Sequence, residues 1–205
     1  MAECKIQYAD ILLLSDKIWD ALLYYSQVEN DFKESPIGHR AKFKRAKIAY
    51  YQGDFNWAQA QLDVLKSSTS KLISNDAMDL SLLITDNYNL DTTEIAMRIF
   101  ANADLLYYQQ KYDDAIIKYN SVLTRFTGHS LSDEIYMRIG SIYLKNGKIE
   151  EALANYKRIE ENWSYDILAD DAIYKRAKIY DDILKNPLLA MKLYEQILLE
   201  HNSSI

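Results

Sequence analysis

Apolar and polar positions recur along this chain with two nested periods. Within short segments the apolar residues fall three and four apart, the spacing of one helix face. Over longer distances a small residue embedded in such a face returns at Ala9, Ala46, Ala103, Gly140 and Ala177, at intervals of 37, 57, 37 and 37. A second column, Ala21, Ala58, Ala115, Ala152 and Ala190, follows at 37, 57, 37 and 38. The long step is one 37-residue period carrying 20 extra residues, and the last unit carries one extra residue. A unit of this length with two apolar faces reads as a pair of helices, the repeat of an all-α solenoid. Alanine or glycine is needed where two helix axes approach to the usual ~8–10 Å, and large residues four and seven places on fill the groove beside the contact.

The first helix of each unit ends in a short loop holding Gly or polar residues: Asp16, Gly53, Lys111, Gly147 and Asn186. The pentapeptide KRAKI occurs at 44–48 and again at 175–179, 131 residues later. That distance is three periods plus the insertion, so the two copies occupy one site in two units. The insertion places Leu72, Ile73, Ala77, Leu80, Leu83 and Ile84 at helical spacing and predicts one extra helix. Thr69 or Ser70 is expected to cap its start and Asp86-Asn87 to mark its end, with Thr92 or Thr93 capping the next helix.

The unit around Tyr136, Ile139, Gly140, Tyr143, Gly147, Ala152, Tyr156 and Ile159, with the ten small residues above, resembles the tetratricopeptide repeat (TPR) family over nearly the whole chain. The resemblance implies an all-α, right-handed TPR-like superhelix of about five helix pairs plus one inserted helix. It would be a single solenoid spanning 1–205, with repeats near 2–36, 37–67, 92–129, 130–165 and 166–205 and the inserted helix near 68–91. Arg45, Asn102 and Arg176 stand where the family commonly has leucine, and the period exceeds the family's by about three residues. The longer period and the last two units look most like bacterial cell-envelope TPR proteins of the Tol-Pal-associated and outer-membrane assembly type. This implies a periplasmic or envelope location for a segment of a larger protein, with the cytoplasm as the other option.

The resemblance also implies a non-catalytic scaffold that binds a protein or peptide partner on the face lined by the first helix of each unit. The expected partner-facing residues are Phe43, Lys44, Lys47, Tyr50, Tyr51, Phe100, Tyr107, Tyr108, Arg138, Tyr174, Lys175 and Lys178. Tyrosine and lysine on one wall suit an extended peptide, the rings giving area and the polar tips direction. The carboxylate clamp of chaperone-binding members would require Lys, Asn and Arg where this chain has Ile6, Asp10 and Lys44, so a chaperone-tail adaptor is disfavoured. The alternative is a self-associating repeat protein whose ends or inserted helix form a homo-oligomer interface.

Composition changes this picture only by exclusion. Five glycines and two prolines are too few for the turns of an all-β protein. The net charge of −6 argues against nucleic-acid binding, which needs a positive surface to displace phosphate counterions. Cys4 is the one cysteine, so no internal disulfide or cysteine-rich zinc site is expected. No stretch approaches ~18 uninterrupted apolar residues, so no membrane insertion by this segment is expected. His39, His129 and His201 stand isolated, phosphate-binding glycine loops and nucleophile motifs are missing, and no cofactor is expected. The acidic pairs Asp113-Asp114, Asp133-Glu134, Glu150-Glu151 and Asp170-Asp171 fall at expected helix starts, where carboxylates favour the dipole. The five basic residues Arg40, Lys42, Lys44, Arg45 and Lys47 spread around the helix circumference and read as a solvated, salt-bridged surface.

Overall fold

A computed structural model of the chain describes residues 1–67, 71–88 and 94–200. Among the described residues the regular elements are eleven α-helices and one π-helical turn, with no strand. They group into two compact units, Met1–Val122 and Leu123–Ile205. The first holds α1 (Ala2–Leu14), α2 (Ile18–Asp31), α3 (Pro36–Gln52), α4 (Phe55–Lys66), α5 (Lys71–Tyr88), α6 (Ile95–Tyr108) and most of α7 (Tyr112–Arg125). The second holds α8 (Ser132–Lys145), α9 (Ile149–Asn162), α10 (Ile167–Lys178), the π-turn Ile179–Ile183 and α11 (Pro187–Glu200). The sequence reading treats 1–205 as one solenoid; contacts sort the helices into these two bodies.

In the first unit α1 packs on α2, α2 on α3, α3 on α4, α4 on α5, and α3 also on α6. In the second, α8 packs on α9, α9 on α10 and α10 on α11. All ten small residues of the two columns are buried. Gly140 shows why: a Cβ built there would lie 2.7 Å from Cε1 of Tyr156, closer than carbon atoms approach. Packing of large on small continues through Tyr25, Leu62, Tyr119 and Tyr156, each fully buried in its helix pair.

The turn between paired helices has one design. Seven residues after the first small residue the backbone enters the left-handed region, at Asp16, Gly53, Gln110 and Gly147. The next amide donates back five residues, Lys17 to Leu12, Asp54 to Ala49, Lys111 to Leu106 and Lys148 to Tyr143, each at 2.9 Å. This satisfies a carbonyl that the helix end leaves open. In the last pair the left-handed residue is Lys185, eight after Ala177, and the returning bond spans six residues, from Asn186 to Tyr180 at 2.8 Å. The extra residue is absorbed by the π-turn, whose wider ring closes with the Leu184 amide on Ile179 at 3.0 Å.

Helix starts follow their capping residues. Ser35 accepts from the Gly38 amide with Pro36 at the first helical position, and Asp54 and Asp166 accept from Trp57 and Leu168. The insertion forms α5, with Ile73, Ala77 and Ile84 buried, Leu80 and Leu83 partly buried and Leu72 exposed. It runs through Tyr88, past the expected end at Asp86-Asn87. The expected caps at Thr69, Ser70, Thr92 and Thr93 lie outside the described residues.

The basic stretch of α3 is a set of struts. Arg45 pairs with Glu29 on α2 at 2.5 Å, Lys44 with Asp10 on α1 at 2.7 Å, and Arg40 with Glu3. Arg176, the counterpart of Arg45, pairs with Glu160 on α9 at the same sequence distance of 16. The arginine that replaces the family's leucine thus bridges to the preceding helix, and its glutamate partner follows the last core residue there (Val28, Ile159). Each pair is partly buried, where a planar guanidinium is better suited than lysine. Desolvation pushes the Arg176 guanidinium below its ordinary value.

Candidate functional site

The first-helix residues of the first unit are drawn into two carboxylate-centred clusters. Asp10 on α1 receives the Tyr25 hydroxyl and the Lys44 ammonium, and Tyr108 of α6 faces it as well. Burial, then the facing Asp10, pushes the Tyr108 phenol up to about 12. The Tyr25 phenol is pushed up by the same two causes in the same order. Lys47 lies over the rings of Tyr51 and Tyr108, at 5.8 and 5.5 Å from their centroids, close enough for cation–π attraction. The second cluster is the buried Asp104 of α6, which accepts from Tyr50 at 2.8 Å and from Tyr119 at 2.5 Å.

A single rule connects these clusters. The residue after the first small residue meets the tyrosine fifteen places on: Asp10 with Tyr25, Asp104 with Tyr119, and Ser141 with Tyr156 at 3.1 Å. A buried phenol needs a partner, and the adjacent helix supplies it at a fixed register. In the second repeat the tyrosine is Leu62 and the partner position is Lys47, which turns to the aromatic rings instead.

Burial therefore removes part of the expected partner-facing set. Phe100 is fully buried beside the Tyr119 ring, 5.5 Å away, and Tyr50 and Tyr51 are also buried. These three side chains are core, because the face of α3 and α6 they occupy is covered within the unit by the α3–α6 contact. Phe43, Lys44, Lys47, Tyr107 and Tyr108 remain partly exposed, with Tyr107 against Tyr112 at 5.9 Å. Arg138 is partly exposed on α8.

The other three expected residues share one cleft in the second unit. Tyr174, Lys175 and Lys178 line a cavity of about 450 Å³ together with Leu144 on α8, Asp171 on α10, and Ile179, Asp182 and Ile183 of the π-turn. Tyr174 is 51% exposed and its ring lies 6.2 Å from that of Tyr194 on α11. Lys178 and Asp182 pair at 2.6 Å. Their mutual hydrogen bond holds the lysine above and the aspartate below their ordinary values, so both are charged near neutral pH. Burial, followed by Asp181, pushes the Tyr194 phenol up. Among the described residues Lys175 makes no ion pair, and its ammonium is left available at the cleft wall.

Asp182, Ile179 and Ile183 were not expected at a site. The signal was the extra residue between Ala177 and Ala190; spacing alone does not say that it becomes a π-turn lining a cavity. The cleft brings together an exposed aromatic ring, aliphatic walls and fixed charges, a recognition surface for an apolar side chain with a polar neighbour. Among the described residues no group of three metal-ligating side chains gathers. No described helix is long and apolar enough to cross a membrane.

Residues 100–167, from α6 into α10, match the tetratricopeptide repeat family model. No curated protein sequence matches the chain. The match and the helix-pair packing agree on a TPR-like all-α solenoid fold.

Proposed function

We propose that the protein is a non-catalytic interaction scaffold that holds a peptide segment of a protein partner in the cleft between α8 and α10. The observation that carries this reading is the cleft itself. It sets Tyr174 and the unpaired Lys175 beside the aliphatic Leu144, Ile179 and Ile183. An apolar peptide side chain fills the aliphatic part, and a carboxylate on the same peptide meets Lys175. TPR repeats generally mediate protein–protein interaction, and the match over residues 100–167 includes α8, which supplies Leu144 to the cleft wall. A setting in the bacterial envelope, as part of a larger protein, rests on the 37-residue period and the resemblance of the last two units.

Selection from a random peptide library on the purified chain tests the binding role. Recovered peptides should carry an aliphatic or aromatic residue next to an acidic one. Their affinity should fall at least tenfold for the Tyr174→Ala, Lys175→Glu double variant while its helical circular dichroism is unchanged. Equal binding by a folded double variant rejects the cleft. Immunodetection in fractionated cells tests the envelope setting, which a purely cytoplasmic signal rejects.

A further inference from the structure

The second helices of the last two repeats align residue for residue, Ala152 with Ala190 and Tyr156 with Tyr194. In α9 the positions flanking this core are carboxylates, Glu150-Glu151 at the start and Glu160-Glu161 at the end. In α11 the same four positions are Leu188-Leu189 and Leu198-Leu199. Leu188 is 70% exposed, Leu198 58% and Leu199 80%, with Met191 beside them at 52%. Glu150, Glu151 and Glu161 of α9 are exposed too, so most of these positions face water in the pair where they are charged. Four leucines in their place leave α11 with an outer face unsuited to solvent.

The middle of that face is charged in a pattern with internal symmetry. Helical spacing puts Leu188, Lys192, Glu195 and Leu199 on one stripe, opposite the side of the buried Ala190 and the partly buried Leu193 and Ile197. Reversing the stripe about a point between residues 193 and 194 exchanges Leu188 with Leu199 and Lys192 with Glu195. Among the described residues neither Lys192 nor Glu195 makes an ion pair. The equivalent stripe of α9 is Glu150, Ala154, Lys157 and Glu161, which on the same reversal would set Glu150 against Glu161.

We infer that α11 is a self-association surface, on which a second copy of this chain lays its own α11 antiparallel. Leu188 of each protomer packs against Leu199 of the other, and Lys192 pairs with Glu195 twice across the twofold axis. Such a contact is self-complementary, as an isologous dimer requires. The four exposed apolar side chains offer on the order of 500 Å² per protomer, and with the flanking charges they approach the ~800 Å² a partner contributes to a standard interface. A reversible dimer in the micromolar range is the expectation.

Sedimentation of the whole chain at low and high micromolar concentration, with reductant to keep Cys4 from cross-linking, should show a monomer–dimer equilibrium. Leu188→Glu with Leu199→Glu restores the α9 pattern and should weaken the dimer at least tenfold, with an unchanged helical spectrum. Lys192→Glu alone should weaken it as well, and Lys192→Glu with Glu195→Lys should return the dissociation constant to within about threefold of the wild type. This charge reversal, on exposed side chains, decides the matter even if the leucine variants unfold. A wild-type monomer at every concentration, a dimer indifferent to the glutamates, or failure of the double reversal to recover association each overturns the proposal.

Discussion

Adding one methyl group at Gly140 sets two quantities of known size against each other. Replacing a mid-helix glycine by alanine stabilises a helix by about 1 kcal/mol. At this position, however, the new Cβ would stand 2.7 Å from Cε1 and 3.0 Å from Cδ1 and Cζ of Tyr156. The ring has nowhere to retreat, being fully buried with its hydroxyl 3.1 Å from Ser141. Overpacking of this kind costs roughly 1–3 kcal/mol, so the clash exceeds the propensity gain and the variant should lose about 1 kcal/mol. The other pairs indicate what relieves it. At Ala9-Asp10 and Ala103-Asp104, where alanine precedes a residue that accepts from a buried tyrosine, that residue is an aspartate, and a carboxylate reaches further toward the phenol than a serine oxygen. Ser141→Asp added to Gly140→Ala should therefore let the ring move outward. Lys175, 34 residues on as Lys44 is from Asp10, is the counter-ion expected for the new carboxylate. Thermal and urea unfolding followed by circular dichroism should show Gly140→Ala melting roughly 2–4 °C below the wild type. The double variant should recover more than the separate effects allow, a coupling of at least ~0.5 kcal/mol. A single variant as stable as the wild type, or a coupling indistinguishable from zero, refutes this account of the small-residue column.

Gln110, exposed and left-handed with φ 61°, should become more stable as Gln110→Gly, by up to about 1 kcal/mol in urea titrations, because glycine carries no Cβ penalty there. Asp104→Ala leaves the buried phenols of Tyr50 and Tyr119 without the carboxylate they donate to, and should cost about 2–4 kcal/mol in unfolding free energy. Because the folded Tyr108 holds its proton more tightly than an ordinary tyrosine, its contribution to stability is fully present below pH ~10 and is lost as the pH rises through about 12. Titration of phenolate absorbance should show this high-pH component, and Asp10→Asn should move it downward without restoring the ordinary value, since burial is the larger cause.

The helix pairing was legible because it is written in residue size. Ala9, Ala46, Ala103, Gly140 and Ala177 can be read without coordinates, since no larger residue fits at a helix crossing. The direction each tyrosine faces was not legible in the same way. Tyr50 and Tyr51 follow one another on α3, and the position of α6, which brings Asp104 to the one and Tyr108 to the other, decides that both are covered. Phe100 lies three residues before Ala103, on the same helix face as that buried residue, a clue that the inherited picture of an open inner wall obscured. The arginines of the two KRAKI copies, Arg45 and Arg176, are salt-bridged, yet their partners, Glu29 and Glu160, lie on other helices and share no local pattern with them. In the second unit Tyr174, Lys175 and Lys178, expected on a partner-facing wall from the resemblance, line one cleft. Ile179, Asp182 and Ile183 joined them because a surplus residue widened one turn of backbone, and register reasoning has no rule for where a surplus goes.

The π-turn has a consequence for how such a chain tolerates changes in length. One residue added within an ordinary helix rotates everything beyond it by about 100° and sends the next buried side chain into water. Between Lys178 and Leu184 the surplus is taken up by a local loosening of the coil, and Ala190 is still buried like its four counterparts upstream. The segment behaves as an expansion joint at the loop end of the repeat, where insertions can accumulate and be tried as new surface while the stacked alanines stay in step.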